Sequence, residues 1–172
     1  MVLCNIECVN KISQYLEVSP GKMHISDNNI VAMNDFMKNQ SIEGFSTIIQ
    51  ALTKYSNSKN LLGDDAITRA LTQQWLEYAT LCANYADSPS IAKRVLKELN
   101  TVLKHNTYIS GTKKTVADVT LYYILHSIMK ELSHQGKSEY VHVSRWFDNM
   151  QQDEKVRQKL DFINFNILYL YL

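Results

Sequence analysis

The feature that most constrains this chain is a helix start at Thr115–Asp118, followed by a long apolar run. A threonine and an aspartate at this spacing can form a capping box, in which each side chain accepts a hydrogen bond from the other residue's backbone N–H. Such a cap stabilises a helix by about 0.5–2 kcal/mol. The side chains behind it are apolar or aromatic on most sides of the helix: Val116, Val119, Tyr122, Tyr123, Ile124 and His126. Because a helix of this kind is usually buried, the sequence predicts a capped helix through the centre of the core.

Length and charge set broad limits on the molecule. A chain of 172 residues can form one domain, or one domain with a small second one, without a disulfide or a metal to stabilise it. Its net charge of +1 provides no general attraction to nucleic acid or to an anionic membrane. We therefore expect no membrane binding and no direct nucleic-acid binding.

The cysteines and the two ends of the chain indicate a cytoplasmic protein. Cys4, Cys8 and Cys82 are an odd number without a disulfide framework, which predicts reduced thiols. Cys4 and Cys8 lie one helical turn apart, and we expect both to be half-buried. The first residues do not have the pattern of a secretory signal. The apolar stretch 162–172 is too short to span a bilayer as a helix, and we expect it to pack on its own domain.

The first sixty residues predict a thin α/β unit. Apolar residues recur every three or four positions over 3–16, which predicts an amphipathic helix, and a polar loop with a Pro-Gly pair follows. The apolar run 29–34 predicts a strand, with Phe36–Met37 as its hairpin partner. Residues 39–44 have the composition of a turn, and a second helix is expected over 45–54.

The rest of the chain predicts only helices, so the expected fold class is mainly α. The helix that begins at Asp65 is expected to bury one stripe of side chains: Ile67, Leu71, Trp75, Tyr78 and Cys82. Ser88–Pro89 is a cap followed by proline at the first helical position, which predicts the next helix. Beyond the capped helix, Gln135–Gly136 should separate it from another amphipathic helix with Tyr140, Val143, Trp146, Phe147 and Met150 buried. A last helix is expected over 156–163.

No catalytic, cofactor-binding or metal-ligating residue is predicted. The glycines are scattered singly, and the histidines do not have zinc-site spacing with a cysteine. His126 lies on an apolar helix, where a satisfied core imidazole is the favoured interpretation. The basic strip Lys93, Arg94, Lys97 and Lys104 is explained by a solvated helix face, although Lys113–Lys114 leaves a weak RNA contact open.

Several motifs resemble the glutathione transferase family. Tyr108–Gly111 followed by Thr115–Asp118 is similar to the signature of its helical C-terminal domain. The strings Leu-Leu-Gly at 61–63, Gln-Gln-Trp-Leu-Glu-Tyr at 73–78, Leu-Tyr-Tyr at 121–123 and Ser-Arg-Trp-Phe at 144–147 resemble a non-enzymatic branch found in the metazoan multisynthetase complex. The resemblance implies a reduced thioredoxin-like unit over 1–60 and a transferase-like helical domain over 64–172.

Departures from the enzymes of that family argue against glutathione chemistry. The chain opens in a predicted helix, where a transferase has a first strand leading to its catalytic residue. The strand around 30–33 has no proline, whereas the family places a cis-proline before its third strand. The Glu-Ser pair that holds glutathione in the family is replaced around Gly44–Phe45. The alternatives that stay open are a glutathione-binding or active transferase, and a transferase-like module of the elongation factor 1 complex.

A function without chemistry requires contact surfaces, and the first candidate lies on the helix that begins at Asp65. Its predicted surface stripe contains Ala66, Ala70, Gln73, Gln74 and Glu77. Small residues allow another helix to approach closely, and the two glutamines can fix the register through their amide groups. The resemblance implies that this face binds the transferase-like domain of methionyl-tRNA synthetase. A merely solvated face is the alternative.

The second candidate surface contains His142, Arg145, Asp148 and Asn149. An exposed arginine suits bidentate recognition and is common at interface hot spots. A local Arg145–Asp148 ion pair would explain the same pattern without a partner. The resemblance implies that this face binds the transferase-like domain of glutamyl-prolyl-tRNA synthetase, within a complex of further synthetases. It also suggests the nucleus as a second location, although no sequence feature indicates it.

Overall fold

The computed structural model describes residues 3–36 and 40–165 of the chain. The first part of the chain contains α1 (Ile6–Leu16), β1 (Lys22–Ile25), β2 (Val31–Phe36), β3 (Gln40–Glu43) and α2 (Phe45–Tyr55). The rest of the described chain is helical, with α3 (Ala66–Leu81), α4 (Pro89–Val102), α5 (Val116–Glu131), α6 (His134–Glu139), α7 (Val141–Gln152) and α8 (Glu154–Arg157). Short 3-10 turns at Lys59–Leu62 and Ala83–Tyr85 flank α3. The predicted mainly α class is confirmed, whereas the division into domains 1–60 and 64–172 stays a prediction.

The helix starts follow the local chemistry of the sequence. Asn5 caps α1, because the backbone N–H of Cys8 donates to its side-chain oxygen at 3.0 Å, and the helix therefore begins three residues later than the apolar pattern does. Asp65 caps α3 in the same way through the N–H of Thr68, at 2.9 Å. α4 begins with Pro89 directly after Ser88, as predicted.

The small sheet is antiparallel in the order β1-β2-β3 and differs from the prediction in three ways. Residues 22–25, predicted as loop, form β1, and residues 40–43, predicted as turn, form β3. Phe36 is the last residue of β2 and not part of a hairpin partner, while Met37 lies outside the described residues. Both missed strands lie at the edges of the sheet, and in β1 most side chains are exposed. Such strands do not have the alternating apolar pattern that a half-buried strand shows.

The capped central helix is confirmed. Every residue of α5 from Val116 to His126 is buried, and α1, α3 and α7 all pack against this helix. Thr115 and Asp118 form the predicted capping box, with the Thr115 N–H donating to the Asp118 carboxylate at 2.9 Å. The core is therefore built around α5. The sheet and α2 belong to the N-terminal part of the chain.

The predicted buried stripe of α3 is only partly correct, because Trp75 and Tyr78 pack against the core but no residue of the stripe is fully buried. Ile67 is 74% exposed, and Leu71, Trp75, Tyr78 and Cys82 are only partly buried. The residues that α3 buries against its neighbours are instead Thr72, Leu76 and Ala79. Thr72 can be buried because its hydroxyl donates to the carbonyl oxygen of Thr68 at 2.8 Å. Two of the three buried positions hold a polar residue, Thr72, and a small one, Ala79. The inner face of α3 therefore lacks the repeated large apolar side chains that would predict it from the sequence.

The last part of the chain is less helical than predicted, except for α6. Ser133 caps α6 by accepting from the N–H of Gly136 at 3.2 Å, so the Gln135–Gly136 pair lies inside a short helix and not in a break. The predicted buried face of α7 is confirmed. The helix predicted over 156–163 is reduced to Glu154–Arg157, and a non-helical segment follows it. In the described residues no helix is both long and apolar enough to cross a membrane.

Candidate partner-binding surfaces

The buried carboxylate of Asp118 joins three parts of the helical region. Its Oδ2 accepts from the Thr115 N–H and hydroxyl at 2.9 and 3.0 Å. Its Oδ1 accepts from the Ile109 N–H at 2.8 Å and from the Trp146 indole N–H at 3.0 Å. Burial raises the pKa of Asp118, and these donors oppose the shift. The Asp118 side chain is fully buried. Its role is therefore to fix α5, the preceding loop and α7 relative to one another.

We call the residues Ala66, Ala70, Gln73, Gln74 and Glu77 the α3 surface. All five are exposed, and Ala66, Ala70 and Gln73 line a groove of about 430 Å³ between α2 and α3. The structure therefore places the predicted residues together on one accessible side of the helix.

The start of α3 is held rigidly beside this surface. Arg69 donates from Nε to the carbonyl oxygen of Gly63 and from Nη2 to that of Asp64, both at 3.2 Å. Gly63 has a φ of 113°, and a Cβ at this position would lie 2.7 Å from the backbone nitrogen of Arg69. Only glycine fits here, and its turn fixes the angle at which α3 leaves the α/β unit.

Sequence reasoning missed the apolar part of this surface. Ile67 and Leu81 are 74% and 70% exposed, and Gln74 lies midway between them at a spacing of seven residues. Residues seven apart lie almost on one line along a helix, so the two apolar side chains flank the exposed glutamine. The sequence analysis predicted Ile67 to be a core residue. Because Ile67 and Leu81 are exposed, they form a candidate contact surface.

Trp75 and Tyr78 border the same side of α3 but are fixed within the protein. Their rings meet edge to face with centroids 5.1 Å apart, and the Tyr78 hydroxyl donates to Glu98 of α4 at 2.5 Å. Burial, with that carboxylate as the second cause, raises the pKa of Tyr78. The paired rings therefore lie beside the row formed by Ile67, Gln74 and Leu81. Ile67 and Leu81 take no part in this ring contact.

We call His142, Arg145, Asp148 and Asn149 the α7 surface. Arg145 is exposed, yet its Nη2 donates to the carbonyl oxygens of Leu103 and Asn106 at 2.7 and 2.8 Å. These carbonyls lie at and beyond the end of α4, where a helix leaves acceptors unpaired. Arg145 therefore closes the end of α4, a structural role that the sequence did not reveal.

The other α7-surface residues do not form the predicted local ion pair. Among the described residues, no Arg145–Asp148 contact within 4.0 Å is found, and Asp148 instead accepts from the Gln151 amide at 2.8 Å. Asn149 donates to the Tyr108 hydroxyl at 3.2 Å. For His142 the recorded contact is through its backbone N–H, which donates to the Asn100 side chain at 2.9 Å.

The thiols of Cys4, just before α1, and Cys8, within α1, are poor candidates for chemistry. Cys4 and Cys8 are 3% and 5% exposed, so the expectation that they are half-buried is wrong. Burial raises the pKa of Cys8 to about 12, and the Cys4 thiol donates to the carbonyl oxygen of Ala79 at 3.3 Å. Because a reactive cysteine needs an accessible thiolate, these side chains serve packing.

His126 is the satisfied core imidazole that the sequence predicted. Its ring Nε2 lies 3.0 Å from the carbonyl oxygen of Asp161, and burial lowers its pKa. Within residues 3–36 and 40–165, no group of His, Cys, Asp and Glu side chains is arranged to hold a metal ion.

Comparison with solved structures defines the class of fold. The chain superposes with a TM-score of 0.69 on the theta class glutathione S-transferase of Xanthomonas axonopodis pv. citri with glutathione bound, at 13% identity, covering 95% of this chain and 94% of the other. A glutathione S-transferase from Pichia kudriavzevii gives a TM-score of 0.70 at 16% identity, with 89% of each chain covered. The protein therefore has a glutathione transferase-like fold. At these identities, the likeness shows the fold alone.

Sequence comparison narrows the class to a family. The chain is 39% identical over 131 residues to human "Eukaryotic translation elongation factor 1 epsilon-1", covering 75% of each protein. It belongs to the family of eukaryotic translation elongation factor 1 epsilon-1, which is also called aminoacyl-tRNA synthetase complex-interacting multifunctional protein 3. The family model described as nuclear-export cofactor Arc1p matches residues 68–154. A region of the bifunctional glutamate/proline–tRNA ligase of Drosophila melanogaster is 31% identical over 101 residues, covering 59% of this chain and 5% of the ligase.

Proposed function

We propose that this protein is a non-catalytic scaffold of the multi-aminoacyl-tRNA synthetase complex, which binds transferase-like domains of two synthetases through the α3 and α7 surfaces. The observation that carries the proposal is the exposed row Ile67, Gln74 and Leu81 on a helix of a family member. Large apolar side chains that are about 70% exposed on a rigid helix are typical of a surface that a partner covers. The mechanism is positioning and mutual stabilisation.

The α3 surface is suited to a second transferase-like domain. Exposed Ala66 and Ala70 border the groove with α2 and permit close approach, while Ile67 and Leu81 supply apolar area. Gln73 and Gln74 offer amide donors and acceptors that penalise a wrong register. The family resemblance suggests methionyl-tRNA synthetase as the partner at this surface, with other complex members attached through it.

The α7 surface offers a fixed arginine. The two carbonyl oxygens that hold Nη2 of Arg145 orient its guanidinium group, while Nη1 and Nε have no hydrogen-bond acceptor among the described residues. A pre-oriented fork with free N–H groups can bind a carboxylate with little loss of side-chain entropy. We assign this surface to the transferase-like domain of glutamyl-prolyl-tRNA synthetase. The similarity to glutamate/proline–tRNA ligases supports the assignment, because such ligases contain a region related to this chain.

Substitutions at Arg145 test the second assignment. We expect Arg145→Ala to weaken the complex with the glutamyl-prolyl domain by roughly 10–100-fold, as at interface hot spots. The matched control Arg145→Lys keeps the charge but not the fork, and should give a smaller loss. Binding of the methionyl domain should not change in either variant. Calorimetric titration of purified domains measures all six affinities, and equal affinities of wild-type protein and Arg145→Ala for the glutamyl-prolyl domain would contradict the assignment.

A glutathione-dependent enzyme is the second candidate, because the fold is that of glutathione transferases. The thiols of Cys4 and Cys8 are buried, and burial raises the pKa of both, which argues against a catalytic cysteine near the start of the chain. Retention on glutathione resin and a chlorodinitrobenzene assay decide between the candidates, and measurable turnover would contradict the scaffold. A module of the elongation factor 1 complex is a third candidate, which affinity purification with identification of partners would separate. We propose the cytoplasm as the location, with the nucleus as a second one.

A further inference from the structure

A groove of about 510 Å³ lies between α4, the end of α5 and α6. We call it the α4–α6 groove. It shares no residue with the α3 surface or the α7 surface. Its volume falls within the range of roughly 300–1,000 Å³ that is typical of ligand sites, so it can hold several side chains of a partner.

The floor of the α4–α6 groove is apolar and accessible. Ile128 and Leu132, at the end of α5, are only partly buried there. The lining residues of α4 have the i, i+3, i+4, i+7 spacing of one helix face: Pro89, Ala92, Lys93 and Leu96. The floor therefore offers apolar side chains from two helices to whatever enters the groove.

The wall formed by α5 and α6 is negatively charged. Glu131 is the last residue of α5 and Glu139 the last residue of α6, and both are exposed. Among the described residues, neither carboxylate has a Lys, Arg or His nitrogen within 4.0 Å. The last turn of α5 adds the partial negative charge of carbonyl oxygens that have no partner within the helix. This wall therefore attracts a positively charged group.

The facing wall, formed by α4, has the opposite charge. Lys93 is exposed, and no carboxylate of residues 3–36 or 40–165 lies within 4.0 Å of its Nζ. The first turn of α4, which begins at Pro89, adds the partial positive charge of a helix start. A basic side chain of a partner is therefore favoured over α5 and α6 and disfavoured over α4.

The shape of the groove favours a helix as the occupant. Its lining residues belong to helices and the turns beside them, so no strand edge offers backbone groups to an extended peptide. A helix satisfies its own backbone hydrogen bonds and needs only side-chain contacts. From Pro89 to Leu96 the α4 stripe is about 10.5 Å long, which is the distance between positions i and i+7 of a partner helix.

We propose that the α4–α6 groove binds an amphipathic helix of a partner protein, which inserts apolar side chains at i, i+4 and i+7 and directs a Lys or Arg toward Glu131 and Glu139. The apolar floor selects the apolar stripe, and the two carboxylates select the basic flank. Lys93 excludes a basic residue from the other flank. The inference does not rest on the proposed function, because neither synthetase-binding surface contributes to the groove.

Selection from a displayed library of helical peptides tests this proposal on the full chain. Each peptide has about eighteen residues, or five helical turns, with an alanine-rich frame and random residues along one face and its two flanks. Ala92→Phe fills the groove and serves for counter-selection. Thr101→Phe is the matched control, because it places the same ring at an exposed site of α4 outside the groove. Circular dichroism checks that both variants fold.

We expect the enriched peptides to share apolar residues at i, i+4 and i+7 with a Lys or Arg on one flank. Fluorescence anisotropy of a labelled peptide should show roughly tenfold weaker binding to Ala92→Phe than to wild type or Thr101→Phe, as for a blocked anchor pocket.

Charge variants test the basic flank and do not depend on the folding of Ala92→Phe, since all three positions are exposed. The double variant Glu131→Gln, Glu139→Gln should bind the peptide roughly fivefold more weakly, as for two exposed ion pairs. Lys93→Gln should bind it more tightly than wild type does.

Several results would overturn the proposal. A library without enriched sequences would do so, as would peptides that bind wild type and Ala92→Phe equally. Enriched peptides without a basic residue, or an affinity unchanged by the substitutions at Glu131 and Glu139, would exclude a basic partner helix. Light scattering examines a different occupant, because a wild-type dimer that Ala92→Phe separates would show that a second copy fills the groove instead.

Discussion

Helices α3 and α5 are both sixteen residues long and rich in apolar side chains, but they have opposite relations to water. Every residue of α5 from Val116 to His126 is buried, whereas α3 buries only Thr72, Leu76 and Ala79. In α5 the apolar residues surround the helix and so contact neighbours on every side. In α3 only some of the apolar residues face the core, and Ile67 and Leu81 lie on the exposed side. Apolar content alone therefore does not identify an inner face, and the remainder on α3 is available to a partner.

The largest effect is expected at the polar centre of the buried helix. Asp118→Ala should destabilise the fold by about 4 kcal/mol, because it leaves buried N–H groups of Thr115, Ile109 and Trp146 without an acceptor. Asp118→Asn keeps one carbonyl oxygen and should cost clearly less. Urea unfolding followed by circular dichroism measures both free energies. Equal losses of unfolding free energy in the two variants would show that the acceptor oxygens of Asp118 are not the source of its stabilising effect.

Two leucines on α3 test the comparison directly. Leu76 is fully buried and Leu81 is 70% exposed. Leu76→Ala should cost about 3 kcal/mol of unfolding free energy, as for a core leucine. The matched Leu81→Ala should stay within about 0.5 kcal/mol of wild type, as at an ordinary surface site. Denaturant midpoints of the two variants provide the measurement, and a destabilised Leu81→Ala would return this side of α3 to the core.

A smaller effect separates two neighbouring tyrosines of α5. The Tyr123 hydroxyl donates to the Val156 carbonyl oxygen at 2.7 Å, whereas the buried Tyr122 hydroxyl has no hydrogen-bond partner in the described part of the chain. Tyr123→Phe should therefore cost about 1 kcal/mol. Tyr122→Phe should be neutral or slightly stabilising, because it removes a buried hydroxyl without a partner. Thermal melts of the pair decide, and a clear loss for Tyr122→Phe would indicate a hydrogen bond or a bound water at its hydroxyl.

The smallest effect is a pH dependence at His126 of the same helix. Burial lowers the pKa of His126, so the folded state favours the neutral imidazole while the unfolded chain binds a proton more readily. Stability, measured by urea unfolding across the pH range, should therefore fall as the pH drops from about 7.5 to about 5, through the usual histidine range. His126→Gln can still donate a hydrogen bond to the Asp161 carbonyl oxygen but does not titrate. The unfolding free energy of this variant should therefore depend less on pH. The carboxyls of Asp153 and Asp161, whose pKa values are lowered, titrate below this window.

The sequence predicted the elements whose signals are local. The capping box before α5, the Ser-Pro start of α4 and the buried face of α7 all follow from residues within a few turns of one another. β1, β3 and α6 were missed because they are four to six residues long and expose most of their side chains. In β1 the exposed pattern lacks the alternation of a half-buried strand, and α6 buries no residue, so neither leaves an amphipathic pattern in the sequence.

Contacts between distant residues explain what the sequence could not show. Trp146 reaches Asp118 across 28 residues, and Arg145 reaches Leu103 across 42. The candidate residues of both surfaces were identified from their stripes, but the structural role of Arg145 depends on where α4 ends in space. Ile67 was misassigned to the core because the inner face of α3 contains the polar Thr72, whose hydroxyl is satisfied by the Thr68 carbonyl oxygen.

The positions of the two tryptophans give the protein two separate optical reporters. Trp146 is fully buried, and its indole N–H is held by a carboxylate, so its emission should change only when the core opens. Trp75 is partly exposed at the border of the apolar row on α3, where a docking domain would alter its surroundings. In a Trp146→Phe variant, the fluorescence of the remaining Trp75 would report assembly. In a Trp75→Phe variant, the fluorescence of Trp146 would report unfolding. Assembly and folding could then be followed independently without an added dye.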